Sequence, residues 1–120
     1  MPKRLSRQVN IEEILKSLIQ DGLFICAVVA SSDGLPLAMV GQADTTMMAA
    51  VSASMKDLAE RAHQGLTEII TRDDEGNQII NRYFSVDQNL LLLSAKIPRG
   101  CVYRRLMNNA VRNLKEIWAT

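Results

Sequence analysis

The sequence is short of aromatics. One Trp, two Tyr and two Phe make up 4% of its 120 residues. So few aromatic faces exclude a platform on which single-stranded bases stack. Cysteine is scarce too, with only Cys26 and Cys101, far apart. A disulfide scaffold is denser in cysteine. The one histidine, His63, has no second histidine or nearby cysteine to complete a metal site. Neither sign of charge dominates: 14 basic residues face 13 acidic ones, net +1. That balance does not mark a nucleic-acid or acidic-membrane binder. The longest apolar run, residues 23–30, is too short to cross a bilayer. Met1-Pro2-Lys3-Arg4 is basic, but no apolar stretch of a signal peptide follows. These absences predict an intracellular, cytoplasmic protein in a reduced compartment, with no direct membrane insertion and no nucleic-acid partner.

What is present is ordinary globular material, 48% hydrophobic and 22% charged. The length suits one domain. Residues 1–9 read as a flexible arm with Lys3, Arg4 and Arg7, and residues 10–120 as a single domain. Asn10 with Glu13 resembles a capping box, and Ile11, Ile14, Leu15, Leu18 and Ile19 follow with the spacing of a buried helical stripe. Gly22 can end that helix in the left-handed conformation. Residues 23–30 carry no polar side chain, as in a strand covered on both faces. Ser31-Ser32-Asp33-Gly34 reads as a turn, and 37–40 as a short second strand. A second helix runs from about 45 to 64, capped by Asp44 or Thr45. Strands follow at 66–72, 78–86 and 90–95, and a helix at about 101–118. In that last helix Val102, Leu106, Ala110, Leu114 and Ile117 form the buried stripe, and Arg104, Arg105, Arg112 and Lys115 share the wet side. The order is α-β-β-α-β-β-β-α. It predicts an α+β fold with a mostly antiparallel sheet under helices.

The second helix is the unusual segment. Met47, Val51, Met55, Leu58 and Ala62 form one stripe, read as its core face. Lys56, Asp57, Glu60 and Arg61 make its second half polar. Residues 45–55 carry no charge, and the back there is Ala49, Ala50 and Ala53. A half-helix without a charged side needs cover on both sides, and a second subunit can supply one of them.

No catalytic constellation emerges. Cys26 lies in an apolar strand, where a thiol is inert. Ser31, Ser32, Ser52 and Ser54 lack a nucleophile elbow. Asp33, Asp73, Asp74 and Glu75 sit in turns and serve turn chemistry. The glycines form neither a Walker loop nor a dinucleotide fingerprint. No catalytic, metal-binding or cofactor-binding residue is nominated, and the basic side of the last helix reads as a solvated face.

The run Ala27-Val28-Val29-Ala30-Ser31-Ser32-Asp33-Gly34-Leu35-Pro36-Leu37-Ala38 resembles the signature hairpin of the roadblock/dynein light chain family. Its marks are an apolar strand, a Ser-x-Asp-Gly turn formed by Ser32, Asp33 and Gly34 with their neighbours, and an apolar-Pro-apolar restart at Pro36. A small-residue helix ending in Leu58-Ala59-Glu60-Arg61 and a strand with Glu68 extend the resemblance over about residues 11–118. The resemblance implies a five-stranded antiparallel sheet flanked by helices, in symmetric dimers. The second helices pack together there, and the third strands pair across the two-fold axis. On this sequence the implied dimer residues are Met47, Met48, Ala50, Val51, Ala53, Ser54, Met55, Leu58, Thr67, Ile69 and Thr71.

The resemblance further implies a non-catalytic platform, a homodimeric regulator or scaffold that binds a Ras-like small GTPase according to its nucleotide. The sequence selects none of Arg61, Arg72 and Arg99 as an arginine finger. A peptide-binding adaptor of dynein-light-chain type is the alternative, and a small-molecule sensor module a third reading.

Overall fold

The computed structural model describes residues 3–41 and 44–119, with side chains for residues 6–41 and 44–118. The elements are α1 (Lys3–Gly22), β1 (Cys26–Ser31), β2 (Pro36–Gly41), α2 (Thr45–Glu60), β3 (Glu68–Arg72), β4 (Gln78–Val86), β5 (Asn89–Ile97) and α3 (Arg104–Ala119). Their order is the expected one. The five strands form one sheet, β2-β1-β5-β4-β3, with every pair antiparallel. The two apolar strands, β1 and β5, lie inside the sheet, and β3 is an edge strand. This is the fold class that the sequence predicts.

Alternation along the strands sorts side chains between two faces. Ala27, Val29, Ile80, Leu93 and Ala95 pack under α1 and α3, against Leu15, Leu18, Met107 and Leu114. Val28, Ala30, Tyr83 and Leu92 pack under α2, against Ala49 and Ala53. Burying one such Leu stabilises the fold by roughly 2 kcal/mol. Among the described residues four polar ones are buried too, and they pair. Ser94 donates to Asn81 Oδ1 at 2.8 Å, and Asn81 Nδ2 donates to the Ile69 carbonyl at 3.0 Å, tying β3 to the interior. Tyr83 donates to the Ser52 carbonyl at 2.8 Å and its hydroxyl lies 3.2 Å from Ser52 Oγ, fixing α2 on the sheet. The Thr45 hydroxyl rests on Met39 Sδ at 3.0 Å.

Several boundaries differ from expectation. The helix expected from Asn10 already runs from Lys3, so Asn10 is inside the helix, not its cap. Arg7 stacks over Trp118, with 5.3 Å from guanidinium to ring centroid, which joins the start of α1 to the end of α3. The expected arm's Met1 and Pro2, and the side chains of Lys3 and Arg4, lie outside the described residues. Leu23, not Gly22, takes the left-handed conformation after α1, at φ 59°. Gly22 instead lies close to α3: a Cβ there would lie 2.6 Å from Leu106 Cδ1. The second helix ends at Glu60, not 64, and the last begins at Arg104, not 101. Val102, expected in its buried stripe, is therefore exposed.

Candidate interaction surface

The second helix begins at Asp44, whose Oδ1 accepts the Met47 N–H at 3.0 Å. It lies over β1, β2 and β5. The residues that meet the sheet are small: Thr45, Ala49, Ser52 and Ala53 are buried. Small side chains let the helix backbone approach the sheet closely. The large ones are thereby turned outward. Met47, Val51 and Leu58 are 58%, 46% and 63% exposed. With Ser54 they fall at i, i+4, i+7 and i+11, one continuous stripe. Ala50 is exposed beside them. This reverses the expected orientation: the Met47-Val51-Leu58 stripe faces outward, and Ala49 and Ala53 face the core. The positions nearest the sheet are held by threonine, alanine and serine, with Met48 packed against the same cluster.

The residues expected at a dimer interface therefore divide. Met47, Ala50, Val51, Ser54 and Leu58 lie together on the outer face of α2. Met48 packs against the core under α2, with its Sδ 3.4 Å from Cys26 Sγ, and Met55 is half-buried. Ala53 is 7% exposed and packs against its own sheet. Thr67, just before β3, and Thr71 on it are exposed, and Ile69 is half-buried. One side of β3 pairs with β4 and its other side is an open edge. α2 lies over β1, β2 and β5, and the Ile69 side chain of β3 packs against the cluster under α2.

The Ser-x-Asp-Gly turn is built as a bracket for α2. The Ser31 hydroxyl donates to the Asp33 carboxylate, and the Gly34 N–H donates to the Ser31 carbonyl at 3.0 Å. Gly34, at φ 86°, is buried under Ala49 and Ala50. Ser32 and Asp33 are exposed, and Pro36 opens β2.

Burial pushes both thiols up, Cys26 and Cys101 alike. Asp73 Oδ1 accepts the N–H groups of Glu75 and Asn77, each at 2.9 Å, as the turn requires. His63 is exposed, and so are Arg61, Arg72 and Arg99. Glu60 accepts from Lys56 and from the Gly65 N–H at 3.2 Å, and these bonds hold its carboxyl below its ordinary value. Among the described residues no group of three or more His, Cys, Asp and Glu could hold a metal ion. No helix there is long and apolar enough to cross a membrane.

No family model and no curated protein sequence matches the chain. Solved structures do. The gliding protein MglB from Thermus thermophilus superposes with a TM-score of 0.82, at 11% identity, over 95% of this chain and 92% of that one. A roadblock/LC7 domain from Streptomyces avermitilis superposes with a TM-score of 0.71, at 16% identity, over 88% of this chain and 92% of that one. The chain has the roadblock fold. Myxococcus xanthus MglB shares this roadblock fold as well, with a TM-score of 0.74 at 16% identity over 92% and 89% of the two chains. The outer stripe of α2 was partly legible in the sequence, because its spacing is regular. Its direction was not, because a stripe of Met, Val and Leu reads the same whether its own sheet or another molecule covers it.

Proposed function

We propose that this chain is a non-catalytic, homodimeric scaffold that binds a Ras-like small GTPase in a nucleotide-dependent way in the cytoplasm. The observation that carries the reading is the outward apolar stripe of α2, together with the open edge of β3. An open edge strand invites pairing, and a row of exposed apolar side chains invites cover. A second copy supplies both through one two-fold axis.

The sequence of β3 supports this, since it complements itself in one register. An antiparallel pair centred on Ile70 sets Glu68 opposite Arg72 of the partner subunit. It sets Ile69 opposite Thr71 of the partner subunit. Opposite charges facing each other across strands favour that register.

The resemblance of the signature hairpin and the likeness of fold to MglB proteins support the GTPase as partner. Such a scaffold works by presenting a surface that fits one conformation of the switch loops. The test is a pull-down from native lysate with this protein as bait, once with a non-hydrolysable GTP analogue and once with GDP. Retention of a small GTPase in one state only is the expected result. The open β3 edge also favours a second reading, an adaptor that adds a partner's peptide as a strand. Equal retention of partners in both states, with no GTPase among them, selects that reading.

A further inference from the structure

The outer face of α3 concentrates positive charge in a chain that is nearly neutral overall. Arg104, Arg105, Arg112 and Lys115 are all exposed, against the single acidic Glu116 of that helix. These cations do not form one uniform face. Arg104, Asn108, Val111 and Lys115 recur at i, i+4, i+7 and i+11, one stripe along the helix. Its direction is fixed by Asn108, whose Oδ1 accepts from Arg82 Nη1 at 2.7 Å. The stripe thus faces the β4–β3 edge of the sheet. Between them runs a groove of about 460 Å³. Arg104, Val111 and Lys115 line its helix side, Glu68 and Arg82 its strand side, and Phe84 contributes to its lining.

The charges of this groove do not cancel. Its one carboxylate, Glu68, is already paired with Arg82. Arg104 and Lys115 have no ion pair among the described residues. They are about 16 Å apart along α3, three helical turns, with Val111 between them. We propose that this groove binds an acidic amphipathic helix of a protein partner. Two carboxylates on one face of such a helix, three turns apart, would meet Arg104 and Lys115. An apolar residue between them would cover Val111. Phe84 is buried, so it offers no open ring on which a nucleic-acid base could stack. The groove lies beside α3, on the opposite side of the sheet from α2, so the inference does not depend on the GTPase reading.

The probe is a synthetic helical peptide of Glu, Ala and Leu, with carboxylates three turns apart and a Leu between them on one face. A twin carries Gln for each Glu. Binding is followed by amide shifts of the labelled protein at low salt. Shifts confined to the start of β3 and to the Arg104–Lys115 stripe are expected, with the Gln twin silent. The double variant Arg104→Glu/Lys115→Glu should weaken binding by about tenfold or more. Arg105→Glu/Arg112→Glu carries the same change in net charge outside the groove and should leave it within about twofold. Circular dichroism of both variants checks the fold, which these exposed sites leave intact. Equal weakening by the two double variants, binding of the Gln twin, or a single-stranded oligonucleotide that shifts the same residues as strongly as the peptide would each overturn the proposal.

Discussion

Gly34 lies directly beneath Ala50: a Cβ built on the glycine would stand 3.0 Å from the Ala50 Cα and 3.3 Å from the Ala49 carbonyl oxygen. The neighbours it would meet are backbone, which cannot swing aside as a flexible side chain does. The turn between β1 and β2 thereby sets the height and rotation of α2. Local turn chemistry and the outward apolar stripe are one structural problem. Gly34→Ala meets a left-handed conformation and a close contact together. It should cost about 2 kcal/mol or more. A lower melting temperature and weaker self-association should appear together, and thermal melting with sedimentation equilibrium reads both.

The two alanines of α2 should behave differently. Ala53 faces the sheet at 7% exposure, and Ala50 faces outward. Ala53→Glu buries an unpaired charge in the core and should destabilise the fold by about 3 kcal/mol or more. Ala50→Glu should leave a folded chain and break the association of copies. Circular dichroism and light scattering on the pair of variants separate the two effects. Retained association in Ala50→Glu would remove α2 from the interface.

Arg72 tests the register of the paired edges. It is exposed in the single chain and makes no ion pair among the described residues. In the proposed pairing Arg72→Glu sets like charges opposite each other twice, once on each side of the axis. Each contact is worth roughly 0.5–1 kcal/mol, so the dimer should weaken by roughly tenfold. Added salt should recover part of that loss by screening. No change on dilution would contradict the register centred on Ile70.

Glu60 gives a dependence on pH. The hydrogen bond from Lys56, then the Gly65 N–H, holds its carboxyl below the ordinary value of 4.5. The folded chain therefore binds this proton less readily than the unfolded chain does. The stability it contributes is present above 4.5 and is lost as pH falls through the lower folded value. Glu60→Gln lacks that titration. Melting temperatures followed into acid should fall more steeply for the natural chain than for the variant.

The elements most legible in the sequence are those fixed by local rules. The hairpin at Ser31–Gly34 was readable because Asp and Gly carry the turn themselves. β4 was readable at both ends because loops bound it. β5 carries the apolar stretch 90–93, as an interior strand does. What escaped depends on contacts distant in sequence. Nothing local says that Gly22 lies against Leu106, or that Leu23 rather than Gly22 turns the chain. The same holds for α2. Its stripe was visible, but the choice between the Met47-Val51-Leu58 side and the Ala49-Ala53 side is made by Gly34, Tyr83 and the closeness of the sheet. The start of α1 escaped for a related reason, because Arg7 is held there by Trp118 at the far end of the chain.

In the proposed dimer a second copy of this chain covers the outer face of α2 and the edge of β3. The most direct measurement is the mass of the purified protein in solution by light scattering, across a dilution series. A mass twice the 13.3 kDa of one chain, persisting to low micromolar concentration, is the predicted result. A mass of 13.3 kDa throughout, with Met47, Val51 and Leu58 left uncovered, would contradict it.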